Sequence, residues 1–417
     1  GEGYSIRNVT THQCLTTVDS QDDMPGPPDL NLTPTVTSLV ALAECSPDGI
    51  NQSFAIAPEG YRGIAVSPDG NTVVVANGAQ ASTKVINRSD GSVTEVNSRG
   101  VVFDQVVVSR DGLRAYLTAP GASQVAVLDL LTKRIDHTIA VGPHPKGLAL
   151  SRDGLSLVVT SRLRSGARII DLPSERVRKL TISDSADSGT AEELPGSQVV
   201  QVVTPNDNSS FEFVALSADG LTAFLTGRSA AQVAVANVPN GKVTRFVTVG
   251  GQPNAIAATR NGRSVLVSNA SLSQLSVIDT QSWDVHQVDT LGHRFQNIVI
   301  SPDDTTAYLS DPTANQVVPF DLTTATFQPA VNLSNQPLGL AFTPDGADLL
   351  SAEAAGSDIA VVHASTRAAG EPIQLAPKFD PGSLRTLAAT FAFGTCIATK
   401  VFGPCQLTTL AKTYSDG

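Results

Sequence analysis

"SPDGNTVVVANGAQASTKVINRSDG", residues 67–91, opens on a turn and runs on through two short strands. Proline presets φ at the second turn position, aspartate bonds nearby backbone, and glycine tolerates the left-handed exit. The turn recurs along the chain: "SPDG" ending at Gly70, "SRDG" at Gly112, "SRDG" at Gly154, "SADG" at Gly220, "TRNG" at Gly262, "SPDD" at Asp304 and "TPDG" at Gly346. Successive copies lie 42, 42, 66, 42, 42 and 42 residues apart. A second marker keeps the same steps, at Asn87, Asp129, Asp171, Asn237, Asp279, Asp321 and His363, each closing an apolar strand such as "QVAVLD" or "QLSVID". Two markers in one register define a repeat of seven units.

Each unit predicts four short strands. The first is apolar at nearly every position ("QVVVS", "NIVIS", "LGLAFT"), the pattern of a strand buried on both faces. A four-stranded blade cannot bury both faces alone, whereas seven blades around an axis do so and leave only short edges. The expected fold class is therefore all-β: a seven-bladed β-propeller over residues 59–377, with blades starting near 60, 102, 144, 210, 252, 294 and 336. The repeats begin and end in the same phase, so the ring is expected to close without exchanging a strand between its ends.

The segments "GYRGIAVSPDGNTVVVAN", "VGPHPKGLALSRDG" and "QLSVIDT" resemble the YVTN-type β-propeller repeat. The resemblance covers residues 60–377 and implies the fold. It implies little about function, because such propellers serve as surface-layer modules, adhesins, electron-transfer subunits and enzymes.

Aligned by the repeat, the residues just ahead of the inner strands form a ring at the pore mouth: Arg62, Asp104, Lys146, Glu212, Asn254, Gln296 and Leu338. Four successive blades alternate in charge. We read this as neighbouring ion pairs that plug the channel and fix blade register, with a ligand-binding mouth as the alternative. His144 and His293 fall on the same connections. Repeat three is 24 residues too long, and its acidic insertion (Asp184, Asp187, Glu192, Glu193) is expected near the pore mouth as a solvated loop. Trp283, the single tryptophan, is expected exposed on the rim.

The chain has 417 residues and a net charge of −11, which disfavours nucleic acid as a partner. The longest apolar stretch, "LAATFAFGTCIATKVFG" (residues 387–403), carries Lys400 and reads as strand, so no membrane span is expected. The start at Gly1 suggests a leader that has been removed. Four cysteines sit only near the ends, at Cys14, Cys45, Cys396 and Cys405. Of the three possible pairings we expect Cys14–Cys45 and Cys396–Cys405, hence an oxidising compartment, with four free thiols as the alternative. No spacing matches a zinc site. Asn-x-Ser/Thr sequons at Asn8, Asn31, Asn51, Asn87, Asn208, Asn269 and Asn332 fit a secreted glycoprotein.

Residues 1–58 stand outside the repeat. "QCLTT" with Cys14, "VALAEC" with Cys45 and "NQSF" at 51–54 resemble one lobe of a ricin B-type β-trefoil, which implies a disulfide within the lobe and glycan contacts at Asn51 and Gln52. Phe54 stands where that family has Trp, and Thr16 where an acidic sugar ligand often follows "CL". A single lobe of this length buries too little apolar surface to stand alone. With the strand-like segment 378–417, it is expected to form an assembly module.

No GxSxG elbow, HExxH helix, phosphate-cradling loop or CxxCH haem site occurs. The sequence therefore leads us to expect a non-enzymatic, extracellular structural or adhesive glycoprotein. It would be the repeating subunit of a filament or coat, needing no cofactor and touching itself, another surface protein or glycans. Two alternatives remain. One is a pore-centred lactonase- or lyase-like enzyme using Glu212, Asn254, Asp104 and Gln296; the other is a glycan-binding lectin.

Overall fold

In the computed structural model, residues 60–79, 81–162, 166–181, 210–227, 231–269, 271–354 and 358–375 are described, along with the backbone of 182–187 and of two N-terminal strands. The chain divides into two units, 1–58 and 59–417. In the first, Gln13–Val18 pairs antiparallel with Leu39–Glu44, placing Cys14 opposite Ala43. The remaining lobe residues, Asn8, Asn31, Cys45, Asn51 and Gln52 among them, lie outside the described residues, as do Asn208, Cys396, Cys405 and the segment 378–417.

The second unit is a seven-bladed propeller. Blade one shows the plan: Tyr61–Val66, Thr72–Asn77, Thr83–Asn87 and Val93–Val96 run antiparallel from the axis outward. Tyr61 pairs with Asn77, so the first strand begins and the second ends on the same face, which we call the mouth face. The repeated turn lies opposite. There Ser67 Oγ donates to Asp69 Oδ1, the Asn71 N–H donates to the same carboxylate at 3.1 Å, and the Thr72 N–H donates to Ser67 Oγ at 2.8 Å. Gly70 takes φ +77°, which a β-carbon would strain.

Seven apolar clusters, one at each contact between neighbouring blades, make up the core. Alternation along each second strand builds them: Leu117 faces blade one while Tyr116 faces blade three. The last cluster joins Ile64 and Val73 to Leu350 and Ile359, so blade seven packs on blade one and the ring closes without strand exchange. Hydroxyls near the ends of second strands tie several of the blades to the next. Thr118 Oγ1 donates to the Lys146 carbonyl at 3.2 Å, Thr160 Oγ1 to that of Glu212 at 2.7 Å and Ser310 Oγ to that of Leu338 at 3.0 Å. Where blade seven meets blade one, Gly339 provides the close approach: a β-carbon there would overlap the Arg62 carbonyl oxygen.

Two expectations are corrected. The insertion after blade three does not begin as a loop at the pore mouth. Its first residues, Thr181–Asp187, add a fifth strand to the outer edge of blade four, parallel to Lys242–Thr248, and so place Asp184 and Asp187 on the rim. An unpaired outer strand presents open backbone groups, and this addition covers them. Trp283 is not exposed on the rim as expected. It is half-buried at φ +67°, packs beside the cluster between blades four and five, and carries the Arg245 guanidinium 5.1 Å from its ring centroid.

Candidate functional site

The mouth face brings together the residues that the repeat aligned. Asp104 and Lys146, from blades two and three, form a buried ion pair through Asp104 Oδ2. Lys146 Nζ also lies 5.6 Å from the Phe213 ring centroid, a cation–π contact. Arg62 of blade one comes to 4.0 Å from Asp104 Oδ1, an ion-pair separation too long for a hydrogen bond. Glu212 is buried and accepts from Arg162 Nε at 2.9 Å. Farther round, Asn254 donates to Gln296 Oε1 at 3.3 Å and to the Phe295 carbonyl at 3.4 Å. Leu338 is half-buried, and Gln296 is exposed.

Neighbouring residues of the ring therefore pair between blades one, two and three, while Glu212 pairs with Arg162. Beside them opens a cavity of about 210 Å³ lined by Arg62, Gly78, Asp104, His144, Lys146 and Arg162, with Val102, Pro120, Gly121 and Pro145. The backbone locks two of these groups together, because the Arg162 N–H donates to the His144 carbonyl at 3.2 Å. His144 holds φ +47°, a backbone state that is uncommon outside glycine. Gly78 keeps the cavity open, since a β-carbon there would overlap the Arg62 side chain and come within 2.8 Å of Asp104 Oδ1. That oxygen is buried and has no hydrogen-bond partner.

Sequence reading passed over Arg162. It follows the end of a second strand, where the register puts Gly78, Pro120, Arg228, Ala270, Pro312 and Ala354 in the other blades; two arginines among small residues were the available signal.

A second pair of buried acids lies on the same face, at matching positions of blades six and seven. Asp311 accepts from the His293 ring at 2.8 Å and from the N–H groups of Thr313 and Ala314. His293 thus has the carboxylate partner that the sequence register did not reveal. Glu353 accepts from Asn335 Nδ2 at 2.9 Å through one oxygen, and its other oxygen is buried without a hydrogen-bond partner. Burial, reinforced by nearby Asp358, pushes the Glu353 carboxyl above the usual range against the opposing pull of the Asn335 bond. Among the described residues, no group of three His, Cys, Asp or Glu side chains is arranged to hold a metal ion. No helix among them is long and apolar enough to cross a membrane.

Among the sequons, Asn332 is exposed and Asn87 is half-buried at a turn. Asn269 is different: it is 2% exposed and its Nδ2 donates to Ser276 Oγ at 3.2 Å. That nitrogen has no room for a glycan in the folded chain.

No protein-family model matches this sequence, and no curated protein matches it. Solved structures do match, through the fold. Hydrazine synthase from Kuenenia stuttgartiensis is 17% identical with a TM-score of 0.63, the match covering 75% of this chain and 99% of that one. A streptogramin B lyase is 16% identical with a TM-score of 0.57, over 72% of this chain and 88 to 93% of the matched chains when a mitotic checkpoint complex, equal in identity and TM-score, is counted with it. At such identities the likeness shows the propeller and nothing finer. It nonetheless overturns the expectation that the chain is not an enzyme. That expectation rested on missing local motifs, and a hydrazine synthase and a lyase share this fold. A propeller gathers side chains from loops of different blades, so local motifs are a poor guide to its chemistry.

Proposed function

We propose that the chain is an enzyme of the lyase or hydrolase type, acting on an ester or lactone at the mouth of blades one to three. Asp104 carries the proposal. It is 5% exposed, commits one oxygen to Lys146, and leaves the other without a hydrogen bond, 4.0 Å from Arg62, beside a cavity that is also lined by an imidazole and two guanidinium groups. A buried acceptor without a donor costs about 1–3 kcal/mol, a cost that a bound ligand removes.

The lining supplies the two parts that such chemistry needs. The His144 imidazole is the base: it takes a proton from water for hydrolysis, or from the carbon beside the carbonyl for elimination. In hydrolysis the hydroxide adds to the carbonyl carbon, the acyl carbon–oxygen bond breaks, and the departing alkoxide takes the proton back from the imidazolium. In elimination the electron pair passes through the carbonyl, the β carbon–oxygen bond breaks, and the departing oxygen takes the proton back from the imidazolium. Lys146 and Arg162 stabilise the negative charge that develops on the carbonyl oxygen. The likeness to a streptogramin B lyase supports the class, since that protein carries a lyase activity on the same fold. A YVTN-type ancestry and a place outside the cell belong to the same reading, supported by the repeat motifs and by sequons such as the exposed Asn332.

The test is turnover of a panel of lactones and carboxylic esters by the purified chain. We expect His144→Gln to lower kcat/KM by about 100-fold or more with an unchanged melting temperature. No turnover across the panel, or a rate indifferent to that substitution, overturns the proposal.

A further inference from the structure

We infer that the ligand of this mouth is a small α-hydroxy carboxylate, the acid released when an ester of it is hydrolysed. The inference rests on the site proposed above and names the chemistry it recognises. Two features point in opposite directions and together define the ligand. The open Asp104 Oδ1 asks for a hydrogen-bond donor, because a buried carboxylate oxygen accepts and cannot give. The Arg62 guanidinium, only 4.0 Å away and half-exposed, asks for an oxyanion, which it is shaped to hold through two N–H groups. A ligand that satisfies both must carry its donor close to its anionic group. A hydroxyl on the carbon next to a carboxylate has that spacing.

Charge decides between a hydroxyl and an ammonium donor. Among the described residues, Arg62, Lys146 and Arg162 meet two carboxylates here, Asp104 and Glu212, and this leaves their sum net positive. A ligand of net charge −1 compensates that excess, whereas an amino-acid zwitterion does not. Size sets the upper limit. A cavity of about 210 Å³ lies below the roughly 300–1,000 Å³ of sites for drug-sized ligands. Gly78 supports the same conclusion: it is the residue whose missing side chain lets Arg62 and Asp104 Oδ1 face one space.

The experiment is calorimetric titration of the full chain with three probes of nearly equal size: lactate, propionate and lactamide. Propionate lacks the hydroxyl, and lactamide lacks the charge. We expect lactate to bind at least tenfold more tightly than either, and Arg62→Gln to weaken lactate by about tenfold. Arg62 has a side chain 47% exposed, so that variant keeps its fold, which an unchanged melting temperature verifies. Propionate binding as well as lactate removes the donor requirement and overturns the inference; lactamide binding as well as lactate removes the anion requirement and does the same. If none binds while esters are still turned over in a His144-dependent way, the inference fails and the enzyme reading stands. If lactate binds as expected and no ester is turned over, the inference stands and the enzyme reading fails.

Discussion

Asp104 and Lys146 occupy the same repeat position in adjacent blades, 42 residues apart, and meet as a buried ion pair whose second carboxylate oxygen stays open. The pair joins two roles. It fixes the register of blades two and three, and it presents an acceptor to the cavity. Removing one partner strands a buried charge, at a typical cost of 3–5 kcal/mol. We therefore expect Lys146→Met to lower the unfolding free energy by about 3 kcal/mol or more, and the double variant with Asp104→Leu to recover part of that loss. Urea unfolding of the two single variants and the double checks it; additive losses would show that the pair is not coupled.

Ring closure depends on Gly339. The α-hydrogen that stands where a β-carbon would be faces the Arg62 carbonyl, which is backbone and cannot swing away. Gly339→Ala is expected to destabilise the chain by about 3 kcal/mol, at the upper end of ordinary overpacking. Gly78→Ala is expected to behave differently, because the group it meets first is the flexible, half-exposed Arg62 side chain. The fold should survive while lactate binding is lost. Thermal melts and calorimetry on the two variants separate these outcomes.

Acid should loosen the face opposite the mouth. Asp69, Asp111, Asp153, Asp219, Asp303 and Asp345 are held below the usual carboxylate range, first by the hydroxyl two residues earlier and with help from backbone N–H groups beyond. A depressed folded-state value means that the stabilisation is complete above the unfolded value of about 3.9 and is lost as pH falls through the lower folded value. The contribution of these six carboxylates should be constant from neutral pH down to the ordinary carboxylate range and then drop. Asp153→Asn should reduce that drop slightly, as measured by chemical denaturation across pH.

Glu353 should give the opposite slope. Its folded value is raised, so its contribution is fully present below the ordinary glutamate value and is lost as pH rises through the folded value. Glu353→Gln, which keeps the Asn335 contact without the charge, is expected to stabilise the chain at neutral pH and to flatten that part of the profile. A variant less stable than the parent at neutral pH would show that the ionised form is the one the fold prefers.

The sequence by itself determined the number of blades, their strands and the turn that closes each inner hairpin. Those features repeat: a 42-residue register written seven times specifies local backbone states through Pro, Asp and Gly and burial through the apolar strands. It also aligned Arg62, Asp104, Lys146 and Glu212, because residues at one repeat position must circle one axis. Only the tertiary structure decided what those residues do. Whether a charge meets its neighbour or a residue from another loop depends on side-chain reach across blades, and reach leaves no periodic trace. Thus Glu212 holds Arg162, which no motif announced, and His293 has Asp311 as its partner. The insertion after blade three became an edge strand because an exposed outer strand offers unpaired backbone, a demand set by blade four and invisible in the acidic residues themselves. The cavity, finally, exists because of what is missing at Gly78, and only the neighbours brought around it by folding give that absence a meaning.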